Sequence, residues 1–533
     1  MTPASGPSLP ELSAPGASAP GVSVPAVSVP GTPVSGAAFP RLSDRALGRL
    51  APDITRPAYD RAAQKIGIVH LGIGAFHRAH QAAFVDERMA AGERDWAILG
   101  ASLRAPDTRD ALAPQDGLYT LAERDAEGER ARIVGAVTRL LVAPESPADL
   151  LEAMTAPQVR IVSLTVTEKG YCHDPATGEL REDHPDIRHD LAAPGLPRSA
   201  PGFLVEALAR RRAAGIPPFT VLCCDNLPAN GKLLRRITGR LAGLRDAGLG
   251  HFIENEVAFP CTMVDRIVPA TTPADREAVA VRLGLSDAWP VVTEPFRQWV
   301  IEDEFTAGRP RFEEAGAELV ADAAPYEAMK LRLLNGSHSA LAYLGYLAGH
   351  ATVAEAMAAP GFAPFIRGLM DHEISPTLRV PARTDLAAYK AALLRRFSNP
   401  ALQHRTLQIA MDGSQKIPQR LLATVHARLD DGAPITRLAL ALAAWMRFVS
   451  GTDEQGRAMD VRDPLAGRLR ALADAAGPSP EALVPALLGV REIFEPALAA
   501  DPRLAGAIRA ALSTLYRDGA VRAVAQFDDK PEA

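Results

Sequence analysis

The stretch KIGIVHLGIGAFHRAH, residues 65–80, decides the fold. It begins with a short run of apolar and β-branched residues, passes through Gly72 and Gly74, and ends in a segment of helical composition. A buried strand that leads through glycines into a helix is typical of a parallel sheet that binds a dinucleotide at its strand ends. The usual third glycine position holds His77, so a plain strand-to-helix turn also fits this pattern.

Outward from this stretch, apolar strands alternate with helices over the first half of the chain. WAILGASL (96–103), VRIVSLTVT (159–167) and FTVLCCDN (219–226) are predicted as strands, with helices between them. This alternation predicts a doubly wound parallel sheet. After about residue 293, long amphipathic helical segments dominate. We therefore expect an α/β fold, with a Rossmann-type domain over residues 41–292 and a mostly α-helical domain over residues 293–528.

The first 40 residues differ in composition from the rest of the chain. Proline recurs throughout APGASAPGVSVPAVSVPGTPVSG, and Glu11 is the one charged residue before Arg41. Such a segment has too few large apolar side chains to offset the entropy lost on ordering. We expect a disordered tail over residues 1–40, without the basic start and continuous apolar core of a secretory signal.

Composition excludes several function classes for the 533-residue chain. Its net charge of -5 provides no basic field for nucleic acid, and no run of 18 uncharged apolar residues is present to cross a membrane. The spacing of the four cysteines, Cys172, Cys223, Cys224 and Cys261, fits neither a zinc site nor a disulfide framework. A reduced, cytoplasmic compartment and no bound metal are the predictions.

The segment MKLRLLNGSHSALAYLGYLAGH, residues 329–350, carries polar groups in a helix that its leucines predict to be buried. In an α-helix, Lys330, Asn335 and His338 spread over roughly 140° of one side, and Glu327 falls in the same arc. Burial would lower the pKa of the lysine toward neutrality and make it a competent general acid or base. The sequence also fits a Lys330 that extends to solvent and a His338 that is satisfied in the core.

Polar residues follow the other predicted strands as well. After the second strand, Asp107 could take the ribose hydroxyls of a dinucleotide, whereas Arg104 would suit a 2'-phosphate, so these residues leave NAD and NADP both open. Asn226, Asp265 and the pair Glu168–Lys169 each follow a buried apolar stretch. Open parallel sheets bind ligands at such strand ends, although each residue alone also fits a turn or a buried ion pair.

Taken together, these stretches resemble the polyol-specific long-chain dehydrogenase/reductase family. The matching stretches run in order from about residue 41 to about residue 525: HLGIGAFHRAHQ, QDGLYTL, SLTVTEKGY, CDNLPANG, TMVDRIVP, EPFRQWVIED, MKLRLLNGSHS, MDGSQKIPQR and DEQGRAMDVRDP. The family signature K-x4-N-x2-H falls on Lys330, Asn335 and His338. The resemblance implies a Rossmann-type domain, a helical domain, a site between them and no zinc.

The resemblance also implies roles for individual residues. Lys330 would be the base for alcohol oxidation and the acid for ketone reduction. Around it, the family implies the reacting-oxygen ligands Asn335 and Asn226, the substrate-hydroxyl ligands His338, Asp265 and Lys416, and Glu327 on the proton path.

The cofactor candidates are grouped around the first two strands. The resemblance implies that Gly72, Gly74 and Phe76 shape the cofactor turn and that Asp107 is the ribose-binding carboxylate; we add Glu168 to this group. Pro106 departs from the Glu-Asp pair of some mannitol dehydrogenases. We expect NAD as the cofactor, with NADP not excluded.

Within the family, the resemblance is closer to fructuronate reductase, which interconverts D-fructuronate and D-mannonate. Mannitol dehydrogenases usually show glycine where this chain has Lys169. A uronate needs a cation for its carboxylate, and Lys169, Arg405 or Lys416 could supply it. The alternatives are a dehydrogenase of mannitol or another polyol, and a nucleotide-binding protein without catalysis, which the intact lysine–asparagine–histidine set disfavours. We expect a monomer or small homo-oligomer.

Overall fold

The computed structural model describes residues 39–174, 177–382 and 384–527. The predicted disordered tail lies outside these ranges, apart from its last two residues. In the described part of the chain, none of the helices combines the length and apolar character that crossing a membrane requires.

The described ranges contain eleven strands, most of them in the first half of the chain. They are β1 Ile66–Leu71, β2 Ala97–Ser102, β3 Tyr119–Asp125, β4 Gly128–Val134, β5 Val137–Val142, β6 Ile161–Leu164, β7 Thr220–Cys223, β8 Thr262–Asp265, β9 Val291–Thr293, β10 Gln298–Glu302 and β11 Glu318–Val320.

A five-stranded sheet in the order β5-β2-β1-β6-β7 forms the centre of the first half. All of its neighbouring strands run parallel. β1 lies in the middle, with β2 on one side and β6 on the other, so the chain changes direction of travel across the sheet at β1. The predicted Rossmann-type doubly wound sheet is confirmed, and ligands bind such sheets at this point of reversal.

Alternate residues of each central strand face two different apolar cores. Val69, Val162 and Val221 pack into the core formed with the helices on one face. Ile68 and Ile161 pack into the core on the other face. A sheet covered on both faces explains why these strands are almost continuously apolar in sequence.

Two smaller sheets extend the first half. β4, β3 and β9 form one, and β11, β10 and β8 form the other. β10 and β11 follow residue 293, beyond which the sequence predicted mainly helices. The helical part begins only at α10, Ala324–Met329. The domain boundary at residue 292 stays a prediction.

The described ranges contain twenty-two α-helices. They are α1 Ala75–Ala79, α2 Gln81–Ala90, α3 Asp107–Leu112, α4 Pro147–Thr155, α5 Pro185–Ala192, α6 Ala200–Ala213, α7 Asn230–Arg245, α8 Ala247–Glu256, α9 Pro273–Leu283, α10 Ala324–Met329, α11 Ser337–Leu347, α12 Val353–Ala358, α13 Phe362–Gly368, α14 Leu386–Phe397, α15 Thr406–Ala410, α16 Gly413–Ile417, α17 Ala423–Asp430, α18 Thr436–Val449, α19 Ala466–Ala476, α20 Pro480–Leu488, α21 Pro496–Ala499 and α22 Pro502–Ala525.

The helical half is built around one apolar core, in which α11, α18 and α22 contact one another. Three segments of this half are π-helical: Lys330–Gly336, Leu369–Ile374 and Pro418–Leu422. The first contacts both of the others. The π-helix is rare and often marks a functional site, so these three segments direct attention to the region around residue 330.

Candidate active site

A cleft of about 870 Å³ opens where β1, β2 and β6 end. Gly72 and Gly74 line it from the turn after β1, and Arg104 and Asp107 line it from the segment after β2. Both of these charged side chains are exposed. The cleft lies at the point of reversal of the sheet, where the topology places a dinucleotide.

The turn after β1 requires glycine at residue 72. Gly72 has a φ of +94°, and an added Cβ would lie 2.1 Å from the carbonyl oxygen of Thr165. Gly74 directly precedes α1, and an added Cβ there would have its nearest contact at 3.8 Å. Phe76 follows in α1, half-buried, with its ring stacked on His80 at 5.1 Å.

The residue at the third glycine position, His77, packs against the sheet. Its buried ring stacks on His70 of β1 with a centroid distance of 3.4 Å. His70 hydrogen-bonds to Ser163 and Thr165 of the neighbouring segment, each at 2.8 Å. Burial lowers the pKa of His70 to about 3, so this ring is neutral. In the dinucleotide fingerprint a third glycine lets the helix pack closely on the strand. Here the stacked histidine rings fill that helix–strand contact instead.

Asp225, at the end of β7, holds the segment that follows β6. Its Oδ2 accepts hydrogen bonds from the amides of Val166 and Thr167, at 2.8 and 3.2 Å, and from the Tyr171 hydroxyl at 2.6 Å. Burial raises the pKa of Asp225 to about 6. The carboxylate thus fixes the backbone beside the glycine turn.

Glu168 and Lys169 lie on this fixed segment. A 3-10 turn runs from Glu168 to Tyr171, and the side chains of Glu168 and Lys169 are both exposed. Their proposed roles, in cofactor and substrate binding, stay predictions.

Lys330 connects the two halves of the chain. Its Nζ donates a hydrogen bond to Oδ1 of Asn226 at 2.6 Å, across 104 residues of sequence. The Lys330 side chain is buried, and burial lowers its pKa to about 8. A lysine with this pKa can both give and take a proton near neutral pH.

Glu327 shares a small cavity with Lys330 and Asn226. Its carboxylate accepts hydrogen bonds from the amide of Ala229 at 3.1 and 3.3 Å. Burial raises the pKa of Glu327. The structure brings Glu327 close to the lysine, and its place on the proton path stays a prediction.

The sequence predicted an α-helix over Lys330–Gly336, but this segment is π-helical. In a π-helix the backbone hydrogen bonds join residues five apart, which is the spacing between Lys330 and Asn335. The wider turn brings these two side chains toward the same side, whereas an α-helix would separate them by roughly 140°. Asn335 is buried. The x4 spacing of the signature is therefore a π-helical spacing.

His338 lies in the first turn of α11, buried beside two other rings. Its ring centroid is 4.6 Å from Phe397 and 5.2 Å from His404. Among the described residues, Nε2 of His338 and Nδ1 of His404 have no hydrogen-bond partner. Burial lowers the pKa of His338 well below its ordinary value. Two neutral imidazoles thus offer free nitrogens next to the lysine's segment.

Asp265, at the end of β8, does not pair with its neighbour Arg266 but with Arg396 of α14. Its two oxygens accept hydrogen bonds from Arg396 at 2.7 and 2.9 Å, and Arg396 also bonds both oxygens of Glu294. Burial alone would raise the pKa of Asp265, but the guanidinium outweighs it and lowers that pKa. Arg266 instead pairs with Glu123.

Lys416 and Arg405 occupy different environments. Lys416 is half-buried in α16, and its ammonium group donates to the carbonyl oxygens of Met411 at 2.5 Å and Ile409 at 3.4 Å. Burial lowers its pKa to about 8. The Arg405 side chain is exposed and makes no hydrogen bond to the described residues. By its burial and its lowered pKa, Lys416 therefore resembles a binding-site residue more than the exposed Arg405 does.

The four cysteines are buried and form no disulfide, as predicted. Cys172 lies with His184 and Asp186 in a trio whose ligand atoms are within 4.8 Å of one another. His184 Nδ1 already accepts the amide of Asp186 as the N-cap of α5. Burial raises the pKa of the Cys172 thiol to about 12, so the thiolate that metals prefer is disfavoured here.

Two arginines of the site were not predicted from the sequence. Arg396 had a signal, because it lies on the apolar side of α14 with Leu393 and Phe397, at helical spacing. Arg420 lies four residues after Lys416, so the two basic side chains share one side of their helical segment. A charged residue on an apolar face predicts a buried partner or a ligand.

Comparisons with known proteins match both parts of the chain. The family model described as the mannitol dehydrogenase Rossmann domain matches residues 66–314, and that described as the mannitol dehydrogenase C-terminal domain matches residues 322–516. The D-mannonate oxidoreductase of Escherichia coli is 47% identical over 478 residues, which cover 89% of this chain and 98% of that protein. A mannitol 2-dehydrogenase of Aspergillus terreus is 42% identical over 482 residues, 89% of this chain and 95% of that protein.

The solved ternary complex of Pseudomonas fluorescens mannitol 2-dehydrogenase with NAD and D-mannitol superposes with a TM-score of 0.85 at 41% identity, covering 92% of this chain and 100% of that one.

Proposed function

The chain belongs to the mannitol dehydrogenase family, and we propose that it is an NAD-dependent enzyme that interconverts D-fructuronate and D-mannonate. The family resemblance predicted from the sequence is confirmed, and the chain is an oxidoreductase that acts on CH–OH groups. The observation that carries the proposed chemistry is the buried Lys330 bonded to Asn226, with Asn335 one π-helical turn away.

NAD fits the cleft at the end of β1. The positive φ of Gly72 and the missing side chain of Gly74 leave the backbone open to a pyrophosphate, and Asp107 supplies a carboxylate for ribose hydroxyls. The solved relative with 41% identity binds NAD. Arg104 on the same wall is the residue that would accept a 2'-phosphate, so NADP is the second cofactor to test.

When bound, NAD supplies or takes up the hydride. In ketone reduction Lys330 gives its proton to the carbonyl oxygen, and in alcohol oxidation the neutral amine takes the proton back. Asn335 donates to the same oxygen as its negative charge develops. Asn226 holds the amine with its Oδ1, and its NH2 group also donates to the reacting oxygen. His338, with its free Nε2, orients a substrate hydroxyl, and Glu327 relays the proton between Lys330 and solvent.

The substrate is the finer part of the proposal. The 47% identity to D-mannonate oxidoreductase and the basic side chains Lys416 and Lys169 support a sugar acid. The second candidate is a mannitol 2-dehydrogenase, favoured by the 42% identity to relatives of that name. The four unpaired cysteines support a reduced, cytoplasmic location, and a monomer or small homo-oligomer stays a prediction.

The test is NADH oxidation by the purified protein with D-fructuronate and, in parallel, with D-fructose. Both reactions are then repeated with NADPH. We expect kcat/KM to be far higher for D-fructuronate, and higher with NADH than with NADPH. A preference for D-fructose would instead identify a mannitol dehydrogenase.

A further inference from the structure

We propose that Arg420 binds the carboxylate of a sugar-acid substrate and so determines the preference of this enzyme for acids over neutral ketoses. The inference rests on the proposed function and adds to it a residue that neither the sequence pattern nor the comparisons assigned.

Arg420 is placed next to the catalytic segment by a close backbone contact. It lies in the π-helical segment Pro418–Leu422, which packs on the π-helical segment Lys330–Gly336. At the contact, an added Cβ on Gly336 would lie 2.8 Å from the carbonyl oxygen of Arg420. A glycine directly after Asn335 therefore lets the two segments approach at the site.

The guanidinium of Arg420 lacks a strong partner. Among the described residues its only hydrogen bond goes to Ser339 Oγ, at a long 3.4 Å, and no carboxylate lies within 4.0 Å. The side chain is nevertheless half-buried. A guanidinium has five donors in a planar fork that matches a carboxylate, so Arg420 offers the geometry of a carboxylate receptor with most of its donors unused.

The positive charge of Arg420 reaches the catalytic groups. After burial and the opposing charge of Asp265, it is the next contribution to the pKa of Lys330, which it lowers. It also lowers the pKa of His338 and of His404, beyond the effect of burial. Arg420 therefore lies within electrostatic range of the amine and both imidazoles that have free nitrogens.

The other cations near the site are less suited to this task. The ammonium of Lys416 already donates to two backbone carbonyls, and the guanidinium of Arg396 already binds two carboxylates. The side chains of Lys169 and Arg405 are exposed, where water weakens an ion pair. Arg420 combines partial burial with free donors.

The substrate has its charge in the matching place. In D-fructuronate the carboxylate and the reacting carbonyl, at C5, stand toward opposite ends of the carbon chain. A carboxylate receptor must then lie away from the reacting oxygen, but close enough to the catalytic lysine for one six-carbon chain to reach both. A residue on the neighbouring π-helical segment meets that requirement.

The experiment measures the ratio of kcat/KM for D-fructuronate to kcat/KM for D-fructose in the wild type and in Arg420→Gln. Removing one partner of a desolvated charge pair predicts that the ratio falls by about a hundredfold. Arg509→Gln, which changes an exposed arginine of α22, is the matched control and should keep the wild-type ratio. Thermal unfolding and NADH binding by fluorescence check that each variant is folded.

An Arg420→Gln variant whose ratio stays within threefold, on the order of the spread of a rim charge, would overturn the inference while the proposed function stands. A wild type without preference for D-fructuronate overturns both, and this result is visible before any variant is made. If Arg420→Gln does not fold, Arg420→Lys decides the question. That variant keeps the charge but loses the fork, so the ratio should fall about tenfold, and an unchanged ratio would contradict the proposed role.

Discussion

Both carboxylate oxygens of Asp265 accept hydrogen bonds from the guanidinium of Arg396, at 2.7 and 2.9 Å. The same guanidinium bonds both oxygens of Glu294, so one arginine of α14 neutralises two buried acids from the ends of β8 and β9. The acids lie at the ends of strands of the smaller sheets and the arginine lies in the helical part, so this cluster joins the two parts. The charge of Asp265 also acts on Lys330.

Replacing Arg396 by methionine should destabilise the protein strongly. It would leave two buried carboxylates without a counter-charge, at a cost of about 3–5 kcal/mol in the free energy of unfolding. Urea denaturation followed by circular dichroism measures this loss. The control is Arg395→Met, at an exposed neighbouring position, where a change within about 0.5 kcal/mol is expected. Similar losses in the two variants would show that the cluster contributes little.

The rate should depend on pH in opposite ways for the two reaction directions. With the pKa of Lys330 near 8, alcohol oxidation needs the neutral amine and should rise as the pH increases through about 8. Ketone reduction needs the ammonium form and should fall over the same range. Profiles of kcat/KM measured in both directions test this.

Lys330→Ala should lower turnover by orders of magnitude, with NADH binding retained, and should remove the inflection.

Asn226→Ala should slow the reaction without unfolding the protein. The change removes the amide that accepts the Lys330 hydrogen bond, and loss of one oriented polar group at a reacting oxygen costs about a hundredfold to a thousandfold in kcat. Steady-state kinetics give the effect, and Asn255→Ala, on the exposed side of α8, is the control. A variant with normal kcat would remove Asn226 from the catalytic set.

Gly72→Ala should impair both stability and cofactor binding. The residue has a φ of +94°, and the new methyl group would meet the Thr165 carbonyl at 2.1 Å, so the segment after β6 must move. The Kd for NADH from fluorescence titration should rise by tenfold or more, on the order of a strained contact of 1–3 kcal/mol. Gly48→Ala has no neighbour within 4 Å and an ordinary φ, and it should leave that Kd as in the wild type.

Four of the five strands of the central sheet could be predicted from the sequence, because each is a short apolar run followed by glycine or polar residues. The fifth, β5, was not predicted, and it carries Arg139 within its apolar run. β10 and β11 were not predicted, since Gln298–Glu302 and Glu318–Val320 are short and flanked by charged residues. β10 pairs with β8, which is distant in sequence, and β11 pairs with β10. Local pattern carries no signal for such strands, whose formation depends on tertiary pairing.

The sequence named candidate catalytic residues, but it did not show their geometry. The resemblance named Lys330, Asn335 and Asn226, and the structure brings Lys330 and Asn226 into a hydrogen bond. The π-helical turn between Lys330 and Gly336 has no compositional signature. It is tied to packing against residues 418–422, which local sequence cannot show. For the same reason Arg396 could be recognised as out of place in its helix while its partners, 102 and 131 residues away, could not be named.

The contact between Gly336 and the backbone of Arg420 has a consequence for how such an enzyme can diversify. Lys330 and Arg420 sit on separate pieces of backbone that meet at a residue with no side chain. A substitution at position 420 can therefore alter which molecules are accepted while the proton-transferring amine stays where it is. The backbone that carries the reaction chemistry is thus separate from the backbone that carries substrate preference. Position 420 is therefore the natural place to begin a redesign toward neutral sugars.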